Sequence, residues 1–211
     1  MAALRAAMAR YSPLEASTWE AFTRACRPLE LRKGELFVAA GERPRSFAYL
    51  HSGLMRAYAL DQDGKDYTKL FFDEGMMPGA IVALLEGRPA QISVQALEDC
   101  LLIEIDHAPY RRLLESHPDL LMYHCRYLEL NWVVAKEPRE VALAQQTAGE
   151  RYEAFQAEHP ELERRLSLAQ IASHLGVTPT QLSRIRRARK EAAFPRHVQR
   201  SPLGPPARMR V

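Results

Sequence analysis

The stretch that decides the fold of the C-terminal part is SLAQIASHLGVTPTQLSRIRRARK, residues 167–190. Ser167 and Thr178 each stand three residues before a glutamine, and this spacing forms a capping box at the start of a helix. Pro179 falls at the first helical position, where its missing N–H costs nothing. Gly176 stands where the first helix must end, in a position that favours a left-handed C-cap. The stretch therefore predicts two helices joined by a turn of three or four residues.

The two predicted helices have one apolar face and one polar face. The apolar face consists of Ile171, Leu175, Val177, Leu182 and Ile185. At 100° per residue, four side chains of the second helix lie on the side opposite to it. These side chains are Thr180, Ser183, Arg184 and Arg187. This is the helix-turn-helix pattern, in which the second helix enters the major groove of DNA. It predicts double-stranded DNA as a partner.

Seven residues are candidates for contact with DNA: Thr178, Thr180, Gln181, Ser183, Arg184, Arg186 and Arg187. Arg184 is expected to pair bidentately with guanine O6 and N7, which is worth about 1–3 kcal/mol of discrimination. Thr178 and the N–H groups behind it suit a phosphate at the helix N-terminus. Arg186, together with Arg189 and Lys190, points off the groove-facing side and is expected to contact the phosphate backbone.

Charge is distributed unevenly along the chain. The net charge of +3 is the sum of −5 for residues 1–158 (18 basic against 23 acidic) and +8 for residues 159–211 (11 against 3). A basic C-terminal module on an acidic body is typical of a protein that binds a polyanion. A basic tail without a partner gives the same totals. The charge distribution therefore supports the prediction of DNA binding but does not establish it.

Between residues 29 and 105, short apolar stretches alternate with turn signals. The stretches are ELFVAA, SFAYLHS, LMRAYAL, YTKLFF, QISVQAL and CLLIEI. The turn signals are Gly34, Gly41, Gly53, the pair Asp63-Gly64, and Gly87-Arg88-Pro89. Many short strands at close spacing predict an all-β sandwich or barrel. Because the pattern becomes helical after His107, the predicted fold class is α+β.

A long helix is predicted from about Asp119 to Glu137, with Pro138 bending or ending it. Its seam residues Leu121, Cys125, Leu128 and Trp132 recur at spacings of 4, 3 and 4. Such a seam packs against an identical helix and predicts a homodimer. The alternative is a helix that lies on its own barrel, and the short seam leaves both open.

Composition and motifs exclude several other classes. The chain has no P-loop, no Gly-x-Ser-x-Gly motif and no dinucleotide fingerprint, so we do not expect an enzyme. No apolar run approaches the length of a membrane span, and the N-terminus lacks the features of a secretory signal. Three widely separated cysteines do not form a disulfide framework, which is typical of a reducing cytoplasm.

Metal and cofactor chemistry is not expected either. His117, His124 and Cys125 lie on or beside the predicted long helix, but their spacing fits no metal or haem motif. The prediction is therefore no metal and no cofactor. Redox sensing by Cys26, Cys100 or Cys125 stays open as an alternative.

The order of these elements resembles the Crp/Fnr family of bacterial transcription regulators. RKGELFVAAGERPRSFAYLHSGLMRAYAL and GAIVALLEGRPAQISVQALEDCLLIEI resemble the family's cyclic-nucleotide-binding-like β-roll, a jelly-roll-like double-stranded β-helix. TPTQLSRIRR resembles its recognition helix. The resemblance implies a homodimer joined along the long helix, a near-palindromic DNA site, and RNA polymerase as a partner.

The resemblance also implies a division of the chain. Residues 1–117 form the sensor β-roll, 118–144 the dimerisation helix and hinge, and 145–191 a winged-type helix-turn-helix domain with a reduced wing. Residues 192–211 are expected to be a disordered tail. We expect the protein in the cytoplasm and not at a membrane.

The sequence departs from the family in its phosphate cassette. Cyclic-AMP-binding members have Gly-Glu-Leu followed about ten residues later by Arg-Ser. Here Gly79 matches, but Ala80 replaces the glutamate, and Ala90 and Gln91 replace the arginine and serine. Neither alanine side chain is able to hold a ribose or a phosphate. Arg88 is two residues off and would reach inward only if the turn were rebuilt. The predicted effector is therefore unknown and is not cyclic AMP.

The recognition helix differs as well. Many relatives carry a glutamate three residues before the Ser-Arg pair, where this chain has Thr180. The half-site is therefore expected to differ from the family consensus at that base. Two alternatives stay open: a cyclic-nucleotide-responsive regulator with a rearranged cassette, and a ligand- or protein-binding module that no longer reads DNA. The choice between activator and repressor is also open.

Overall fold

The structure is a computed structural model that describes residues 1–193, except the side chains of Arg139, Ala192 and Ala193. The disordered tail was predicted for residues 192–211, but Ala192 and Ala193 belong to a helix; the rest of the tail and the reduced wing lie outside the described residues. Within the described part, no helix has the length and apolar character that crossing a membrane requires.

The N-terminal part is a sandwich of two antiparallel sheets. One sheet has the order β1-β7-β3 and the other β2-β6-β4-β5. The strands are β1 (Cys26–Leu31), β2 (Leu36–Val38), β3 (Ser46–Ser52), β4 (Met55–Leu60), β5 (Asp66–Phe72), β6 (Ser93–Ala96) and β7 (Cys100–Asp106). All six quoted stretches contain a strand, and the predicted β architecture is confirmed. We call residues 26–106 the roll.

The period of two along each strand explains why these residues form sheets. In β4, Met55 and Ala57 are buried inside the roll, whereas Arg56 and Tyr58 face the outside. The roll interior is packed with small and medium apolar side chains. It includes Val38, Ala48, Leu50, Met55, Ala57, Phe72, Ala80, Ala83, Ala90, Val94, Ala96 and Leu102. A single short helix, α3 (Ile81–Glu86), interrupts the strands after β5.

Helices cover the outer face of the three-stranded sheet. These are α1 (Ala2–Ala9), α2 (Ala16–Thr23), α4 (His107–Ser116) and α5 (Pro118–Leu128). Their second core includes Phe22, Phe47, Ile105, Tyr110 and Tyr123. The helical pattern predicted after His107 corresponds to α4 and α5, and the sequence analysis gave no signal for α1.

The long helix differs from the prediction. The regular α-helix ends at Leu128, a π-helical segment follows (Glu129–Val134), and α6 spans Lys136–Gln145. Pro138 lies in the first turn of α6 and does not end the helix. The physical cause of the π segment is Asn131, whose side-chain amide donates to the Tyr127 carbonyl at 2.9 Å. That carbonyl would otherwise accept the regular i→i−4 bond.

The C-terminal helices form a compact unit, residues 147–193, which we call the head. It contains α7 (Ala148–Glu158), α8 (Pro160–Arg165), α9 (Leu168–Leu175) and α10 (Pro179–Ala193). The capping boxes at Thr147 and Ser167 are present in full, and Gly176 adopts the left-handed conformation with φ +70°. The turn between α9 and α10 has three residues, so two helices and a short turn lie where the sequence predicts them.

Candidate nucleic-acid interface and sensor domain

The outer face of α10 is the candidate surface for nucleic acid. Leu182 is fully buried in the head core, which turns Thr180, Ser183, Arg184 and Arg187 to the exterior. Arg184 has no hydrogen-bond or ion-pair partner among residues 1–193. The Arg187 guanidinium pairs with Glu191 at 3.0 Å, one turn further along the same exposed face. The face therefore presents two hydroxyl groups and two guanidinium groups to an external partner.

The start of α10 is fixed by its own cap. The Gln181 amide oxygen accepts from the Thr178 N–H at 2.8 Å, and the Gln181 N–H donates to the Thr178 hydroxyl at 3.2 Å. Both residues are exposed. The predicted capping box is thus present, and it orients these two candidate DNA-contacting side chains at the helix N-terminus, where an anion is favoured.

Arg186 does not have the surroundings expected of a phosphate-contacting residue. Its Nη2 lies 3.0 Å from a Glu163 carboxylate oxygen, and its Nε donates to the Tyr152 hydroxyl at 2.8 Å. Arg189 is held in the same way by Gln156 and Glu153. The phosphate contact predicted for Arg186 stays a prediction, and an ion pair within the head already holds its guanidinium. The reason is Glu163 on α8, a helix that the sequence analysis did not predict.

The Glu163 carboxylate accepts hydrogen bonds from several side chains of the head. Burial opposes its ionisation, but hydrogen bonds from Gln156 and Tyr152 and the charge of Arg186 outweigh burial and lower the pKa of the carboxyl. The carboxylate therefore stays charged and anchors α10 to α7 and α8. This anchor leaves Arg184 and Arg187 as the outward cations in the first three turns of α10 within the described residues.

The head rests on the outer face of the roll through α9. The Thr68 N–H donates to the Ser173 hydroxyl oxygen at 2.8 Å, and that hydroxyl donates to the Asp66 carbonyl at 3.1 Å. His174 Nδ1 lies 3.2 Å from the Thr68 carbonyl, and its ring packs on Phe71. Backbone groups of β5 are thus bonded to side chains of α9. The orientation of the helix-turn-helix relative to the roll is fixed by these contacts.

An arginine completes the junction between head and roll. Arg165 donates to both carboxylate oxygens of Glu74 at 2.9 and 3.0 Å, and to both of Glu98 at 2.6 and 3.0 Å. The bonds from Arg165 are the main cause that lowers the pKa of Glu74. Sequence analysis missed Arg165, Ser173 and His174, because their partners lie in distant parts of the chain.

The cassette positions lie in an apolar setting. Gly79, Ala80 and Ala90 are buried, and both alanines belong to the packed interior of the roll. The Arg88 guanidinium pairs with the Glu86 carboxylate at the surface, and Gln91 is exposed. The polar groups of the cassette thus face outward. Ala80 and Ala90 contribute only methyl groups to the interior of the roll.

The four residues of the predicted dimer seam differ in their exposure. Leu121 and Cys125 are exposed on α5, whereas Leu128 and Trp132 are half-buried against the roll side. The helical run from α5 to α6 nevertheless carries a row of exposed large apolar side chains. These are Leu121, Met122, Leu130, Val133, Val134, Val141 and Leu143. An apolar row of this extent on a surface is typical of an interaction site.

The alternative sensor residues have ordinary surroundings. Burial raises the pKa of Cys26 to about 12 and also raises the pKa of Cys100, so neither thiol has thiolate character. Cys125 is exposed. His117 bonds the Leu113 carbonyl, and His124 bonds the Tyr110 hydroxyl. Among the described residues, no group of three or more His, Cys, Asp or Glu is placed to bind a metal ion.

Comparison with known proteins agrees with this architecture. Residues 28–117 match the family model of the cyclic nucleotide-binding domain. The cAMP-activated global transcriptional regulator CRP of Pasteurella multocida (strain Pm70) is 26% identical over 106 residues. That match covers 50% of this chain and 51% of the relative, so the chain spans about half the length of the curated relatives it matches.

Solved structures extend the similarity to the head. FixK2 from Bradyrhizobium japonicum aligns with a TM-score of 0.66 at 19% identity, over 80% of this chain and 86% of that one. The c-di-GMP responsive global regulator CLP of Xanthomonas campestris aligns with a TM-score of 0.69 at 16% identity, over 85% and 93%. At these identities the likeness shows the fold. Residues 28–117 are thus similar to the cyclic nucleotide-binding domain, and the curated relative that matches this part of the chain is a transcriptional regulator.

Proposed function

We propose that the protein is a sequence-specific, DNA-binding transcription regulator of the Crp/Fnr type that acts as a homodimer on a near-palindromic site. The observation that carries this proposal is the outer face of α10. Arg184 is unpaired within residues 1–193 and lies beside the exposed Thr180 and Ser183 on a helix whose start is capped. An exposed guanidinium on a fixed helix, without a partner in the described residues, is suited to a bidentate contact with guanine.

Dimerisation along the α5–α6 run is supported by its exposed apolar row. Val133 and Val134 are 66% and 60% exposed, which is unfavourable for a monomer in water. The predicted seam residues Leu121 and Cys125 lie at the start of the same row. A two-fold axis along this run would bring two heads to one side of the dimer, as reading two half-sites of DNA requires.

The roll is proposed to sense an effector other than cyclic AMP bound in the usual cassette. Ala80 and Ala90 offer no hydrogen bond to a ribose or a phosphate, and the Arg88 guanidinium is engaged by Glu86. By family similarity, RNA polymerase is the protein partner of the DNA-bound dimer. The similar proteins include both a cAMP-activated and a c-di-GMP responsive regulator, so a change of effector is compatible with the fold.

The test is selection of bound duplexes from a random DNA pool at physiological salt, with and without cyclic AMP. We expect a two-fold-symmetric motif with half-sites about 10 bp apart, unchanged by the nucleotide. A motif that appears only with cyclic AMP would favour a rearranged cassette. The absence of any enriched motif would favour a module that no longer reads DNA, and would overturn the proposal.

A further inference from the structure

A pocket lies outside the roll interior, between α3, α4, α5 and the π segment. Its cavity volume is about 50 Å³, and it is partly open to solvent. Aromatic side chains supply most of the wall, and these include Phe47, Tyr110, Tyr123, Tyr127 and Trp132. Ile81 and Leu85 of α3 complete it. The cassette positions Ala80 and Ala90 do not line this pocket.

The pocket is uncharged. None of its lining residues is Lys, Arg, Asp or Glu. Its titratable lining groups besides tyrosines are His107 and His124, and burial together with the charge of Arg111 lowers the pKa of both. Both imidazoles are therefore neutral at physiological pH. An ion entering this pocket would lose hydration and find no charged side chain in the lining, since Arg111 acts only from outside it.

Two polar atoms stand at the wall of the pocket. The Tyr110 hydroxyl and His124 Nδ1 lie 3.1 Å apart and share a hydrogen bond. The Tyr110 hydroxyl and the His124 imidazole are the groups of this pair that could offer a hydrogen bond to a polar atom of a guest. Flat aromatic walls favour offset or edge-to-face contact with another ring. The chemistry of the lining thus selects a small, planar, uncharged molecule with one hydrogen-bonding atom.

The pocket is also in contact with the elements that position the head. Trp132 belongs to the π segment, the irregular part of the helix that leads from the roll towards the head. The Lys69 ammonium lies 5.8 Å from the Trp132 ring centroid. Lys69 follows Thr68, whose backbone bonds Ser173 and His174 of α9. A guest that moves Trp132 therefore acts next to the strand on which the head rests.

From this geometry we propose that the pocket is the effector site of the sensor and takes a small uncharged aromatic molecule. The role of the pocket as an effector site rests on the proposed function of the protein as a regulator. The binding of a small molecule in the pocket does not. A dry cavity that holds benzene measures about 150 Å³. Because this cavity measures about 50 Å³, a ring fits only if part of it lies in the open mouth or a wall side chain such as Trp132 moves.

The test is ¹⁹F NMR of two neutral probes, 5-fluoroindole and 4-fluorophenol, titrated with the full chain in the absence of DNA. We expect saturable line broadening of at least one probe. We expect 5-fluoroindole-3-carboxylate, which has the same ring and a negative charge, to bind at least about tenfold more weakly.

Two variants locate the binding. Leu85→Trp places a bulky ring at the mouth, where Leu85 is exposed, and Trp132→Ala removes one wall. Each is expected to weaken probe binding by about tenfold or more. Leu60→Trp is the matched control, because Leu60 is exposed on β4 and does not line the pocket. It is expected to bind like the unmodified chain.

The proposal is overturned if neither neutral probe binds, if the carboxylate binds equally well, or if both pocket variants bind like the Leu60→Trp control. Because the readout contains no DNA, failure here is distinguishable from failure of the regulator hypothesis. An enriched DNA motif together with no probe binding would keep the regulator and reject the pocket. Probe binding without an enriched DNA motif would keep the pocket as a binding site and reject the regulator hypothesis.

Discussion

Arg184 and Arg186 are two residues apart on α10 and have opposite surroundings. Arg184 is exposed and unpaired within residues 1–193, whereas the Arg186 guanidinium lies 3.0 Å from the Glu163 carboxylate. Two steps along a helix rotate a side chain by about 200°. One arginine therefore faces an external partner, and the other holds the helix in the head.

Replacing each arginine by alanine should separate these roles. Arg186→Ala leaves the largely buried Glu163 carboxylate without its cation, so the free energy of unfolding should fall by about 1–2 kcal/mol. Arg184→Ala removes an exposed side chain, so the change should stay within about 0.5 kcal/mol. Urea denaturation measures both. Equal losses would contradict the assigned orientations.

The same pair should separate again on DNA. Arg184→Ala should relax base preference at one position of each half-site, since the bidentate contact is lost. Repeating the pool selection with this variant measures the preference. Uniform weakening on all sequences, with the motif intact, would assign Arg184 to the phosphate backbone instead.

Arg165 should stabilise the junction of head and roll, whereas its neighbour Arg164 should not. Arg165→Ala removes two bidentate carboxylate contacts, and we expect a loss of about 1–2 kcal/mol after allowance for their partial exposure. Arg164 pairs only with the highly exposed Glu161, so Arg164→Ala should cost less than about 0.5 kcal/mol. Hydrogen exchange of the α9 amides is the second measurement. Faster exchange in Arg165→Ala alone is expected, and equal protection in both variants would argue against the junction.

Acid should weaken the same junction. Arg165 lowers the pKa of Glu74 below its ordinary value of 4.5, so the ionised carboxylate is favoured in the folded state. Its stabilisation is complete above pH 4.5 and is lost as the pH falls through the lower folded pKa. The difference in urea midpoint between the unmodified chain and Arg165→Ala should therefore be constant near neutral pH and shrink below 4.5. A difference that persists in strong acid would exclude Glu74 as the partner that matters.

Local signals in the sequence predicted what depends on neighbouring residues. The caps at Ser167 and Thr178 involve atoms three residues apart, and the strands follow from a period of two. The outward orientation of Arg184 follows from helix geometry once Leu182 is placed in the core. These parts of the fold and of the candidate interface were therefore predictable.

Contacts between distant residues were not predictable in this way. Arg165 meets Glu74 and Glu98, which lie 91 and 67 positions away in the chain. Asn131, at the centre of the π segment, also donates to the Tyr11 hydroxyl, 120 positions away. Neither arginine spacing nor helix propensity contains information on such partners. The ion pair of Arg186 could not be predicted for the same reason, because its partner Glu163 lies 23 positions away on α8.

The turn between β3 and β4 makes a stringent test of the roll. Gly53 has φ +105°, and a Cβ there would stand 2.6 Å from the Asp99 carbonyl oxygen and 2.7 Å from Cys100 Sγ. Gly53→Ala therefore combines an unfavourable backbone conformation with a clash, and should lower the free energy of unfolding by about 2–4 kcal/mol.

The matched control for this prediction is Gly64→Ala. Gly64 also has a positive φ, +76°, but nothing lies within 4 Å of its added Cβ. Its cost should be the backbone penalty alone, about 1 kcal/mol. Thermal and urea denaturation of both variants measure the difference. If both variants lower the free energy of unfolding by the same amount, the close approach of β7 to Gly53 adds no cost. That result would contradict the packing of this turn against Cys100.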